Sequence, residues 1–202
     1  AIEIPEGLSL TAAAPLLCSG ITAFKPLYEN IGRYKDVAIV GLGGVACFAV
    51  KFAKSMYETV ACVSKNSTKK EKAFQLGADS FYSPCELTPD IFDLVLLCSS
   101  ATTDLNKILL SLRPNGKVVC IGVPSKEYCL AADDLVNNQK IIEGTNKGNM
   151  KLMKAMFAYA QHIRFDLDVD VWPIDRVNCA ISQLSQHRPF TRNVMKISDD
   201  NP

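Results

Sequence analysis

Apolar and polar positions along the chain follow two rhythms. Compact apolar runs come first: Val37-Ala38-Ile39-Val40, Thr59-Val60-Ala61-Cys62-Val63, Phe92-Asp93-Leu94-Val95-Leu96-Leu97-Cys98 and Lys117-Val118-Val119-Cys120-Ile121-Gly122. Continuous runs of this length predict parallel strands covered on both faces. Ser80-Phe81-Tyr82 and Gln139-Lys140-Ile141-Ile142-Glu143 are weaker strand candidates. Between the runs the spacing turns helical. Val45, Phe48, Ala49, Phe52, Ala53 and Met56 form one apolar stripe. Residues 69–76 predict a short helix stopped by Gly77. Leu105, Ile108, Leu109 and Leu112 predict another, stopped by Pro114-Asn115-Gly116, and residues 150–160 a fourth. Alternating strands and helices imply an α/β fold, a doubly wound parallel sheet with right-handed crossovers.

The rhythm changes at both ends. The first 25 residues or so are Pro- and Ala-rich, with no strand pattern. Phe165-Asp166-Leu167-Asp168-Val169-Asp170-Val171 alternates strictly, which predicts a half-exposed antiparallel strand. A helix over residues 174–185 and a closing strand, Asn193-Val194-Met195-Lys196-Ile197, follow. This tail reads as part of a different domain. No repeat with a solenoid period is present.

Composition narrows the function classes. The 202 residues carry 22 Lys+Arg against 21 Asp+Glu, a net charge of +1, with 48% hydrophobic and 21% charged residues. That balance excludes a nucleic-acid binder working by bulk charge and fits a soluble globular protein. No uninterrupted apolar run reaches the ~20 residues that span a bilayer. The segment Ala1-Ile2-Glu3-Ile4-Pro5-Glu6 lacks the positive region of a signal peptide. Disorder is expected only in the last few residues. None of the eight cysteines lies in a CxxC pair, so no complete zinc site is legible. Cys62 and Cys120 sit inside apolar runs, as reduced, buried cysteines do. A reducing, cytoplasmic compartment is the expectation.

Val40-Gly41-Leu42-Gly43-Gly44-Val45-Ala46 carries the chemistry. It is GxGxxA between the first strand and the best helix. Gly41 allows the tight turn, Gly43 lets backbone approach a pyrophosphate, and Ala46 lets helix and strand pack closely. Freed N–H groups at the helix start, at Gly44 and Val45, then hold phosphates. In an NAD site an acid stands about 20 residues on and binds the ribose hydroxyls. Here that place is Val63-Ser64-Lys65-Asn66-Ser67-Thr68-Lys69-Lys70, without a carboxylate. Ser64 and Ser67 supply hydroxyls; Lys65, Lys69 and Lys70 can pair with a 2′-phosphate. Cations disfavour a helix N-terminus, so helix stability does not explain them. NADP is the expected cofactor.

Ala14-Pro15-Leu16-Leu17-Cys18-Ser19-Gly20-Ile21-Thr22, the glycine turn, Leu76-Gly77-Ala78-Asp79 and Pro114-Asn115-Gly116-Lys117-Val118-Val119 together resemble the zinc-type medium-chain alcohol dehydrogenases. The cinnamyl-alcohol-dehydrogenase-like, NADP-dependent branch is the most similar, over nearly the whole chain. The resemblance implies hydride transfer between NADP(H) and a small alcohol or aldehyde, with zinc polarising the substrate oxygen. It makes Cys18 a zinc ligand. It places Thr22 and the turn Gly122-Val123-Pro124 against the nicotinamide, with Thr22 as the catalytic candidate. It sets Ser64, Lys65 and Lys69 on the 2′-phosphate. It also implies strand order 3-2-1-4-5-6, and a homodimer through the edge strand at Gln139 to Glu143.

The family's second catalytic cysteine, its Gly-His-Glu motif and its four-cysteine zinc lobe belong to an N-terminal domain, and none is found in these 202 residues. His162 and His187 match no ligand position and read as surface histidines. The expected organisation is a lead-in from the catalytic domain over residues 1–18, an NADP-binding Rossmann domain over 19–160, and a C-terminal catalytic-domain segment over 161–202. These flanks would be remnants of a GroES-like catalytic domain. Two rival readings stand: a zinc-free quinone-reductase-like enzyme, against which Cys18 counts, and a non-catalytic nucleotide-binding or dimerisation module. Neither nucleic acid nor membrane is an expected partner.

Overall fold

A computed structural model describes residues 2–101, 103–186 and 192–197. The chain opens with α1 (Leu10–Pro15), a π-helical turn (Leu16–Gly20) and α2 (Ile21–Tyr28). Then come β1 (Asp36–Val40), α3 (Gly44–Met56), β2 (Thr59–Val63), a 3₁₀ turn (Ser67–Lys69), α4 (Lys70–Gln75), β3 (Ser80–Tyr82) and β4 (Phe92–Leu97). The chain continues through α5 (Leu105–Leu110), β5 (Leu112–Cys120), α6 (Ala132–Asn137), β6 (Ile141–Gly144) and α7 (Met150–His162). It closes with β7 (Asp170–Pro173), α8 (Val177–Ser185) and β8 (Asn193–Lys196).

The six-stranded sheet has the order β3-β2-β1-β4-β5-β6, the predicted order, with every pairing parallel. Successive residues of a strand point to opposite faces. Val37 and Ile39 of β1 therefore join one core, with the buried faces of α2, α3 and α7. Ala38 and Val40 join another, with Leu105, Ile108 and Leu109 of α5. Helices that follow β1 and β2 cover the first face, and the chain changes face at β4. The connections that leave the carboxyl ends of β1 and β4 thus run to opposite faces, which opens a crevice at the switch point.

Three local expectations are corrected, and the start of the chain holds helices that its pattern did not predict. The Pro- and Ala-rich start is helical: α1, the π turn and α2 run without a break over 19 residues at a mean hydropathy of 1.2. By length and composition alone this rod could cross a membrane, but half of it is buried in the fold, as in the core helix of a globular domain. Pro15 is tolerated because it closes α1 where the wider π turn takes over. The alternating stretch 165–169 is not a strand. Phe165 and Leu167 are buried while Asp166 and Asp168 face solvent. Phe165 stacks on Phe52 and Phe48, with centroids 4.7 and 5.7 Å away, so its burial comes from α3 and not from a sheet. The strand in that region, β7, pairs in parallel with β8, because α8 carries the chain back to the same end. Finally, the third helix ends at Leu110, and Pro114-Asn115-Gly116 lies within β5. There the register against β4 shifts, and Asn115 takes a left-handed φ of 63°.

The base of the sheet is held by an ion cluster. Asp93 of β4 accepts the amides of Lys35 and Asp36, both at 3.0 Å. Arg113 of β5 donates to Asp93 at 2.9 Å and to Asp36 at 2.6 Å. Burial draws the Asp93 carboxyl upward, but the two amides and the guanidinium outweigh it and hold it below its ordinary value.

Candidate dinucleotide site

The turn after β1 is built by three contacts. Gly41 takes a left-handed φ of 85° and donates its N–H to Val63 O at 2.8 Å, tying the ends of β1 and β2. A Cβ on Gly41 would lie 2.7 Å from Ser99 Cβ, so the loop after β4 presses on the turn and requires glycine. Leu42 then buries its side chain. Gly43 caps α3 with extended backbone, and nothing lies within 4 Å of where its Cβ would stand. Among the described residues no side chain caps the helix at Gly43, and the first N–H groups of a helix have no intrahelical acceptor.

These residues wall a crevice of about 310 Å³. Gly41, Leu42 and Gly43 form one side; Ser64, Lys65, Asn66 and Lys69 another; Pro84 and the loop Cys98-Ser99-Ser100-Ala101 complete it. Ser64 is buried, and its Oγ accepts the Asn66 amide at 3.3 Å. Asn66 Oδ1 accepts from Thr68 N and Oγ1 at 2.9 and 2.8 Å, which shapes the 3₁₀ turn. Lys65 is exposed. Lys69 is half-buried and donates its ammonium to Leu42 O at 2.7 Å; burial lowers its pKa from the ordinary value. Burial pushes the Cys98 thiol up to about 12 and that of Cys47, beneath the turn, up to about 11. Both are neutral packing groups at physiological pH, not nucleophiles.

The structure gathers Gly41, Leu42, Gly43, Ser64, Lys65 and Lys69 on one crevice. The other expected site residues do not line it. Val45 packs into the core. Gly122 is a glycine because a Cβ there would strike Ser99 O. Val123 is 85% exposed, and Pro124 is half-buried. Thr22 lies half-buried on α2, and Cys18 is exposed on the π turn. All eight cysteines are unpaired. His162 is exposed at the end of α7; His187 and the last residues lie outside the described ones. Among the described residues no three His, Cys, Asp or Glu side chains converge. A catalytic Zn²⁺ takes three protein ligands and a water, so those residues do not by themselves fit one.

Sequence reasoning missed Arg192, just before β8. Its guanidinium packs directly on Gly44, the first residue of α3. Burial lowers its pKa from the usual arginine value, and its buried Nε has no hydrogen-bond partner. A cation held at the positive end of a helix is electrostatically unfavourable, and an anion bound between the two would relieve both. The loop after β4 was also missed. The switch-point rule points to it, since the crevice needs a wall from the strand beside β1.

A family model described as zinc-binding dehydrogenase matches residues 44–161. The chain belongs to this family. Its fold is that of the cofactor-binding half of the medium-chain alcohol dehydrogenases. A probable formaldehyde dehydrogenase of Bacillus subtilis is 32% identical over 203 residues, covering 98% of this chain and 58% of that protein. A cinnamyl alcohol dehydrogenase of Sorghum bicolor superposes with a TM-score of 0.87 at 32% identity, over 96% of this chain and 57% of that one. The CAD of Helicobacter pylori, solved in complex with NADP(H), gives 0.84 at 25% identity, over 96% and 57%. The zinc-binding dehydrogenase chain described here thus spans a little over half the length of these relatives.

Proposed function

We propose that this chain is the cofactor-binding part of an NADP-dependent alcohol dehydrogenase, which moves a hydride between NADP(H) and a small alcohol or aldehyde. The observation that carries the reading is Arg192, half-buried against the start of α3 with its buried Nε lacking a hydrogen-bond partner. An arginine so placed suits a pyrophosphate, whose charge complements both the guanidinium and the helix dipole. From there the adenosine ribose would run toward Ser64, Lys65 and Lys69, where two ammonium groups stand and, among the described residues, no carboxylate lines the crevice. That is the charge pattern for a 2′-phosphate. The names of the relatives above, formaldehyde and cinnamyl alcohol dehydrogenases, support the substrate class. Zinc would polarise the substrate oxygen in the complete protein; Cys18 is the one ligand proposed from this chain. The domain division at residues 18 and 160, and a homodimer through the β6 edge, are part of the same proposal.

Lys65→Asp tests the cofactor assignment. It removes a cation and offers the ribose hydroxyls an acceptor, so the ratio of NADPH to NADH affinity, measured by calorimetry at low salt, should invert. A ratio unchanged from the unsubstituted chain would contradict the assignment.

A further inference from the structure

Lys65 and Lys69 stand together in sequence, yet the structure gives them different work. Lys65 is exposed at the mouth of the crevice. Lys69 sends a half-buried stem back across the crevice, and its ammonium holds the Leu42 carbonyl at 2.7 Å. The Leu42–Gly43 peptide is the centre of the turn. It ends on Gly43, whose Cβ position is empty, and turns about Leu42 ψ and Gly43 φ. The glycine side of that hinge rotates easily. Leu42 is anchored by its buried side chain, and Gly41 N–H by Val63 O; neither contact fixes the plane of the next peptide. The bond from Lys69 does. A trans peptide is planar, so holding the carbonyl oxygen aims the following N–H, that of Gly43, the opposite way.

We infer that Lys69 is a positioning residue for the phosphate-binding turn, serving any dinucleotide, whereas Lys65 alone discriminates the 2′-phosphate. The inference rests on the dinucleotide reading above and revises one part of it: Lys69 acts first on the pyrophosphate turn. A lysine that only bound the 2′-phosphate would leave NADH affinity untouched.

The test titrates NADH and NADPH into the 202-residue chain and its Lys65→Met, Lys69→Met and Lys69→Arg variants by calorimetry, with thermal denaturation in parallel. Lys65→Met should weaken NADPH fivefold or more and leave NADH within twofold. Lys69→Met should weaken both cofactors at least fivefold without lowering the melting temperature appreciably. Lys69→Arg, which can still donate to the Leu42 oxygen, should recover most of the NADH affinity; a purely structural loss would not return this way. If Lys69→Met is unfolded, Lys69→Gln, too short to reach that oxygen, gives the same comparison. NADH affinity within threefold of the parent chain in the folded Lys69 variant overturns the inference while leaving the dinucleotide site standing. Failure of the parent chain to bind either cofactor overturns the dinucleotide reading itself, and the inference with it.

Discussion

Gly43→Val separates a ligand-binding turn from a merely structural one. Gly43 has φ −127° and ψ −168°, extended backbone open to any residue, and its Cβ position meets nothing within 4 Å. The fold therefore has room for the side chain. The expected cost is the weaker capping preference of valine over glycine, about 1 kcal/mol, or roughly 2–4 °C in melting temperature for a chain of this size. The branched methyls would project into the crevice that Gly43 lines. Displacing a pyrophosphate from a single charge-assisted hydrogen bond forfeits about 1.5–3 kcal/mol, which is roughly 10- to 150-fold in affinity. Calorimetric titration with NADPH, beside a thermal melt, reads both quantities. A folded variant binding within twofold of the parent would refute the reasoning and leave the turn a structural element. Gly41→Ala is the converse control. Its φ of 85° and the 2.7 Å approach to Ser99 add about 1–2 kcal/mol for the left-handed backbone to about 1–3 kcal/mol of overpacking, so it should lose stability first.

Other outcomes follow from the same structure. Asp93→Ala removes the acceptor for two amides and Arg113, and should cost about 2–4 kcal/mol of stability at neutral pH. Because the folded carboxyl is held below its ordinary value, its contribution is complete above about pH 4 and is lost as pH falls through the folded value. Denaturant melts of both proteins should therefore converge in acid, and a gap that widens there would contradict the ion cluster. The isolated chain, assayed for aldehyde reduction with NADPH and added zinc, should show no turnover, since only Cys18 is offered as a ligand; rates of ~1–10³ s⁻¹ would overturn that expectation.

The glycine turn was legible because its determinants are local: a strand, three glycines and a helical stripe adjacent in sequence. The sheet order was legible through the family resemblance carried by that turn and its neighbouring motifs. What sequence could not show was placement over distance. Arg192 lies some 150 residues from the helix it covers, and no pattern around it marks the contact. Gly122 was placed at the cofactor by the family resemblance alone; its neighbour across the chain, Ser99 O, which a Cβ there would strike, is a packing reason for glycine that the sequence does not show. The alternating stretch after α7 misled because period two records an extended chain with one buried side, and Phe165 found that burial on α3. The helix at the start was hidden by Pro15 and Pro26, which a sequence reading takes as breakers and the fold accommodates.

The central claim is that the crevice takes a dinucleotide and prefers one with a 2′-phosphate. The direct test is parallel titration of NADPH and NADH into the 202-residue chain at low and high ionic strength. The charge-assisted contact from Lys65, in an exposed place, supplies about 1–3 kcal/mol, so NADPH should bind roughly 5- to 150-fold more tightly at low salt. The margin should shrink as salt screens the exposed ammonium of Lys65. Equal affinity at low salt, or tighter binding of NADH, would contradict the account.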